Sequence, residues 1–232
     1  MPERRFPVVT TILVVVCIAV FVFELTLPRY GITRQGFHAK MGVVPFELAH
    51  GYDVPPADLV PWWATVGTAL FIHGGWLHLV VDVLYLWVFG VSVETRLGSL
   101  RFFVLYLVCA VAATGVQVAA SAGSAVPVIG ASGAISGVLG AYLVLGGRVR
   151  ALTTPAPGVA AVVPLPAWVL LVAWFGLQAL QGALALGYAQ AAVALLASAA
   201  GFVAGMVLGA PLDRAGRRPS GGSPGVHGAH SV

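Results

Sequence analysis

Six apolar stretches constrain this chain more than anything else in it. They run over Pro7–Leu27, Trp76–Gly90 (with an approach from Val66), Phe102–Ala120, Ala131–Gly147, Leu165–Ala183 and Ala191–Pro211. A helix needs about 20 apolar residues to cross a bilayer. Lipid offers the backbone no hydrogen-bond partner, so such stretches are expected as helices. Only 9% of the residues are charged, against about a quarter in soluble domains. The expected fold is therefore an all-α polytopic membrane protein with the lipid bilayer as its solvent. The net charge of +4 belongs to loops and tail and is no nucleic-acid signal. The first stretch is long and has no small-residue cleavage site at its end, so it is expected to stay as a helix.

Three regions follow: a short N-terminus over 1–6, a membrane domain over 7–211 with a polar outer loop over 28–61, and a tail over 212–232. The tail is Gly/Ser/Pro-rich, the composition of a disordered segment. Charge orients the whole. With the N-terminus in the cytoplasm, nine of the 12 Lys and Arg residues fall on inner connections, and three (Arg29, Arg34, Lys40) on the outer loop. Positive residues concentrate on the cytoplasmic side. Both termini are thus expected in the cytoplasm, in a multi-pass protein of the cell membrane. Cys17 and Cys109 lie inside apolar stretches without a disulfide or metal partner, and read as small apolar side chains.

Chemistry is carried by the few polar residues inside the apolar stretches, which are costly there and mark functional sites. Gly130–Gly137 reads GASGAISG and places Ser132 at the head of the fourth stretch. One reading has its hydroxyl bonded back to a carbonyl one turn earlier. The other makes it a nucleophile at a helix start, where free N–H groups stabilise negative charge. His78 and Asp82, four apart, share a face of the second stretch, with His73 just before them. They read either as a mutually satisfied pair or as part of a site. Gly133, Gly137 and Ala141 form a small-residue stripe on the fourth stretch, Gly201 and Gly205 another on the sixth. Two such stripes suit a close helix crossing.

FIHGGWLHLVVDVLYLWVFG (71–90), VETRLG (93–98), GASGAISG (130–137) and GFVAGMVLG (201–209) together resemble the rhomboid family of intramembrane serine proteases. The resemblance covers about Trp62 to Pro211. It implies a six-transmembrane-helix bundle and a cofactor-free serine endopeptidase, with single-span membrane proteins as substrates. It makes Ser132 the nucleophile position and His78 and Asp82 the oxyanion positions. The position of the base histidine, aligned without gaps on GFVAGMVLG, is Ser198.

The chain departs from the family at two of these places. A serine hydroxyl is a weak nucleophile until a neighbour takes its proton, and Ser198 cannot do so near neutral pH. The third to sixth stretches contain no histidine, and the only lysine is Lys40. His38 and His50, on the outer loop, are the remaining histidines on the Ser132 side. Asp82, if ionised, only accepts hydrogen bonds where a donor is needed. A pair with His78 would satisfy it and remove the oxyanion hole. A hydrogen bond between Ser132 and Ser198 is the expected neutral replacement for the serine–histidine dyad.

Two functions compete. One is a proteolytically impaired homologue that binds transmembrane helices of client proteins. The other is an active serine protease with an unrecognised base. A transporter reading has only His78 and Asp82 behind it and lacks inverted repeats or paired broken helices.

Overall fold

The computed structural model describes residues 6–52, 59–146 and 167–216. Among these the chain is helical, with one isolated β-bridge between Val43 and Val128. Helix α1 (Val8–Glu24) opens the fold. The outer loop, expected as a polar connection, carries two short helices, α2 (Arg34–Met41) and α3 (Pro45–His50). The Thr33 hydroxyl caps α2 by accepting from the Gly36 N–H, and Pro45 starts α3 where a missing N–H costs nothing. The longer helices that follow are α4 (Trp76–Leu97), α5 (Ser99–Ala120), α6 (Ser132–Val144), α7 (Ala167–Leu186) and α8 (Tyr188–Gly216). Each of the six expected stretches is thus an apolar helix. α4, α5 and α8 are long and apolar enough to cross a membrane, while α1, α6 and the Trp168–Leu184 part of α7 are shorter.

Several boundaries differ from expectation. α4 does not stop at Gly90: it widens into a π-turn over Leu86–Gly90 and continues to Leu97. The widening lies where α1 presses on it, since a Cβ at Gly90 would meet the Thr10 side chain at 3.0 Å. Gly98, at φ 83°, then makes the turn into α5, so Glu94 and Arg96 are helical residues, not loop residues. α8 runs through Pro211 to Gly216, so the first residues of the expected tail are helical. The rest of that tail, with His227 and His230, lies outside the described residues, as do Arg148 and Arg150.

α6 is the centre of the bundle. Ala134, Ile135, Val138, Leu139 and Ala141 are fully buried on it, as expected of a helix that is apolar all round. It crosses α8 in parallel through the two small-residue stripes. A Cβ on Gly201 would strike the Gly133 carbonyl, and one on Gly205 the Gly137 carbonyl. One turn further, a Cβ on Gly209 would lie 3.1 Å from the Ala141 Cα.

One end of the bundle is tied by charge. Buried Glu94 accepts from the Val9 N–H (2.9 Å), from the Thr10 N–H and hydroxyl (both 2.7 Å), and from the Ser99 hydroxyl (2.6 Å). A carboxylate thus caps the N-terminus of α1, where the helix dipole favours an anion, and fastens α1 and α5 to α4. Glu94→Gln keeps one acceptor oxygen and puts an NH2 against these donors. Because charged hydrogen bonds are each worth about 1.5–3 kcal/mol, the substitution should cost roughly 2–3 kcal/mol. A thermal midpoint unchanged in detergent micelles would refute this. At the same end Arg96 pairs with Asp213 at 2.9 Å and donates to the Leu145 carbonyl, while Arg101 donates to the carbonyls of Leu97 and Ala215. The arginines thus gather at helix C-termini, where the dipole favours cations.

Candidate functional site

The opposite end of the bundle holds the polar residues singled out above. Ser132 is half-buried in the first turn of α6, whose N-cap, Ala131, offers no side-chain cap. Gly130 makes the approach: its φ of 108° is a left-handed conformation, and its N–H donates to the Ala69 carbonyl. Val43 and Val128 exchange both backbone hydrogen bonds, and the Phe46 N–H donates to the Ser124 carbonyl. The outer loop is therefore stitched to the segment that delivers Ser132.

His78 packs beneath this segment. A Cβ at Gly130 would lie 2.7 Å from His78 Nε2 and 3.9 Å from Asp82 Oδ2, so only glycine fits there. His78 Nε2 is 3.7 Å from Asp82 Oδ2 across one helical turn. The expected facing pair is present, at ion-pair range rather than hydrogen-bond length. A third member joins it: fully buried His73, whose Nε2 lies 3.5 Å from the same carboxylate oxygen. The two imidazoles meet edge to face, with centroids 5.2 Å apart.

The Ser198 hydroxyl is not directed at Ser132. It donates to Oε1 of Gln178, on α7, at 2.6 Å, which corrects the expected serine–serine bond. An amide carbonyl is an acceptor only, and Ser198 is almost fully buried against it. Among the described residues the Ser132 hydroxyl has no hydrogen-bond partner. It does not bond back to a carbonyl one turn earlier either. Gln178 belongs to one face of α7 that is bonded to three helices. Tyr85 of α4 donates to the Leu170 carbonyl at 3.0 Å, and the Trp174 indole donates to Ser136 of α6 at 2.8 Å. Residues 170, 174 and 178 share that face by their four-residue spacing.

The outer-loop histidines do not complete the site. His38 Nε2 is 2.8 Å from Oε2 of buried Glu24, which also receives Arg34. Arg34 in turn donates to the His73 carbonyl at 2.8 Å. His50 stacks on Phe46 and bonds its carbonyl. Neither histidine is hydrogen-bonded to Ser132.

The family model of the Rhomboid domain matches residues 61–215. The chain belongs to the rhomboid family. No curated protein matches it. The matched span of this rhomboid contains every residue of the site except the outer-loop groups, and it starts at Pro61, just before Trp62 and Trp63.

Reading the sequence noted His73 without giving it a role, and missed Gln178. His73 sits five residues before His78, off its helical face, and only the turn through Gly74 and Gly75 folds it back onto Asp82. Gln178 could have been found: it and Gln181 are the two side chains able to form strong hydrogen bonds within Leu165–Ala183, apart from the Trp168 and Trp174 indoles. Among the described residues, no group of three or more His, Cys, Asp or Glu could hold a metal.

Proposed function

We propose that this rhomboid is a six-span membrane protein, with both termini in the cytoplasm, that receives transmembrane segments of other membrane proteins near Ser132 without cleaving them. One observation carries the reading: the hydroxyl at the base position, Ser198, is spent on Gln178, and among the described residues Ser132 has no hydrogen-bond partner to take its proton. Deprotonation of a serine needs such a partner, and losing it costs on the order of 10⁶ in rate in a serine-protease unit. Asp82 adds to the effect, because its Oδ2 is turned to His73 and His78 where an oxyanion would need a free donor. The retained α6–α8 crossing supports a preserved scaffold, and the arginine cluster at the far end supports the orientation, since it puts the site on the outer side.

The second reading, an active protease with another base, finds its best candidate in His78, whose Nε2 lies beside Gly130. The Gly74 N–H donates to His78 Nδ1 at 3.4 Å, so the neutral ring carries its proton on Nε2. That nitrogen faces Asp82 and has no lone pair for Ser132.

The test is photocrosslinking of the reconstituted full chain to a panel of single-span membrane proteins. Wild type and Ser132→Ala should capture the same clients equally and release no fragments. Cleavage by wild type that disappears in Ser132→Ala would overturn the non-proteolytic reading. Failure of every client to crosslink above a scrambled transmembrane control would overturn the binding reading.

A further inference from the structure

We infer that His73, Asp82 and His78 form a buried proton-binding site, in which one proton is shared between Asp82 Oδ2 and His73 Nε2. The ligand is the proton itself. The argument starts from hydrogen-bond directions. A backbone carbonyl can only accept, and His73 Nδ1 lies 3.2 Å from the Phe71 carbonyl. Nδ1 therefore carries a hydrogen. In a neutral imidazole the other nitrogen, Nε2, is then a bare lone pair. It faces Asp82 Oδ2 at 3.5 Å, and neither atom has a hydrogen-bond partner among the described residues. Two lone pairs meeting between two buried side chains, one fully enclosed and the other 3% exposed, repel each other. One proton between them removes the repulsion, as imidazolium with carboxylate or as imidazole with carboxylic acid.

The surrounding charges favour the same proton. Glu24, a neighbouring buried carboxylate, is held by Arg34 and His38. Among the described residues, the ion-pair partners of Asp82 are His73 and His78. Cys17 of α1 and Tyr106 of α5 also lie in its electrostatic neighbourhood, and neither is a cation. An uncompensated carboxylate in a buried site is strongly disfavoured, which adds to the case for the shared proton. His78, whose side chain is 27% exposed, is the member through which the proton exchanges with the outer side. Its ring also touches Gly130, so the occupancy of the site is felt two residues from Ser132.

This site does not rest on client binding and is read without any client. The probe is full-length protein labelled with ¹⁵N-histidine and ¹³C-aspartate in detergent micelles at neutral pH. The expected result is either an Asp82 carboxylic acid or a His73 imidazolium. Asp82→Asn should abolish both signatures and leave His73 neutral with hydrogen on Nδ1 alone. His78→Gln, which leaves the sharing pair in place, should retain the signature but change its exchange rate with water. A wild-type spectrum with ionised Asp82 and neutral His73 would overturn the proposal, whether or not the variants fold. So would stoichiometric zinc shifting the His73, His78 and Asp82 resonances together, which would make the cluster a metal centre.

Discussion

Alanine at Gly205 should cost this rhomboid a large share of its stability, while alanine at Gly115 should leave it intact or better. Both glycines lie inside long apolar helices, so helix propensity alone favours alanine at each by about 1 kcal/mol. Their surroundings decide the sign. A Cβ at Gly115 meets nothing within 4 Å. A Cβ at Gly205 lands on the carbonyl, carbonyl carbon and Cα of Gly137. Those are backbone atoms of α6, with no rotamer to give way, so the two helices must separate. Separation also loosens the contacts of Gly201 with Gly133 and of Gly140 with Phe202, because all lie on one crossing. Overpacking typically costs about 1–3 kcal/mol. Here it strikes backbone packed directly on backbone, and the expected loss is at the top of that range or beyond it. Typical domains hold only about 5–15 kcal/mol. Thermal unfolding in micelles, followed by helical dichroism, measures both variants. A Gly205→Ala midpoint within a degree or two of wild type would mean that α6 and α8 do not cross at these residues.

That crossing was legible in the sequence because small residues at four-residue spacing have few other uses in a membrane helix. The helices were legible for a similar reason: lipid leaves the backbone one way to satisfy itself. Ends were harder to read. Gly90 looks like a terminus, yet α4 widens there to admit Thr10 and runs on, which is a property of the α1 contact and not of local sequence. The helices of the outer loop were hidden because α2 and α3 are held by long-range bonds, Arg34 to Glu24 and Val43 to Val128, rather than by an apolar face. In the site, His78 and Asp82 were legible from their spacing on one helix. Ser198 was correctly located on α8, but its partner lies on α7, and no spacing rule links residues 178 and 198. His73 was visible beside the pair, but its contact with Asp82 was obscured in the same way, by a turn that no periodicity describes.

Rebuilding the site should turn this rhomboid into a measurable protease, provided Gln178 is removed as well. Ser198→His restores a group that can take the Ser132 proton, but Ser198 is only 1% exposed and lies hydrogen-bonded against Gln178. Imidazole in that space collides with the amide or is captured by it. Gln178→Ala vacates volume and removes the competing acceptor. Asp82→Asn replaces the carboxylate near Gly130 by an amide that donates, so that a developing oxyanion is bound rather than repelled. The triple variant should cleave a captured single-span client about 10²–10³ times faster than wild type. That is a fraction of the roughly 10⁶ a complete unit is worth, because the new imidazole has no tuned neighbour to orient it. Ser198→His alone should give far less, since Gln178 still holds the position. Adding Ser132→Ala to the triple variant should return the rate to background, which separates cleavage at this site from a contaminating protease. A folded triple variant that captures clients and leaves them intact would mean that the scaffold is disarmed at more than these positions. Cleavage restored by Ser198→His alone would mean that the Gln178 contact does not hold the base position closed.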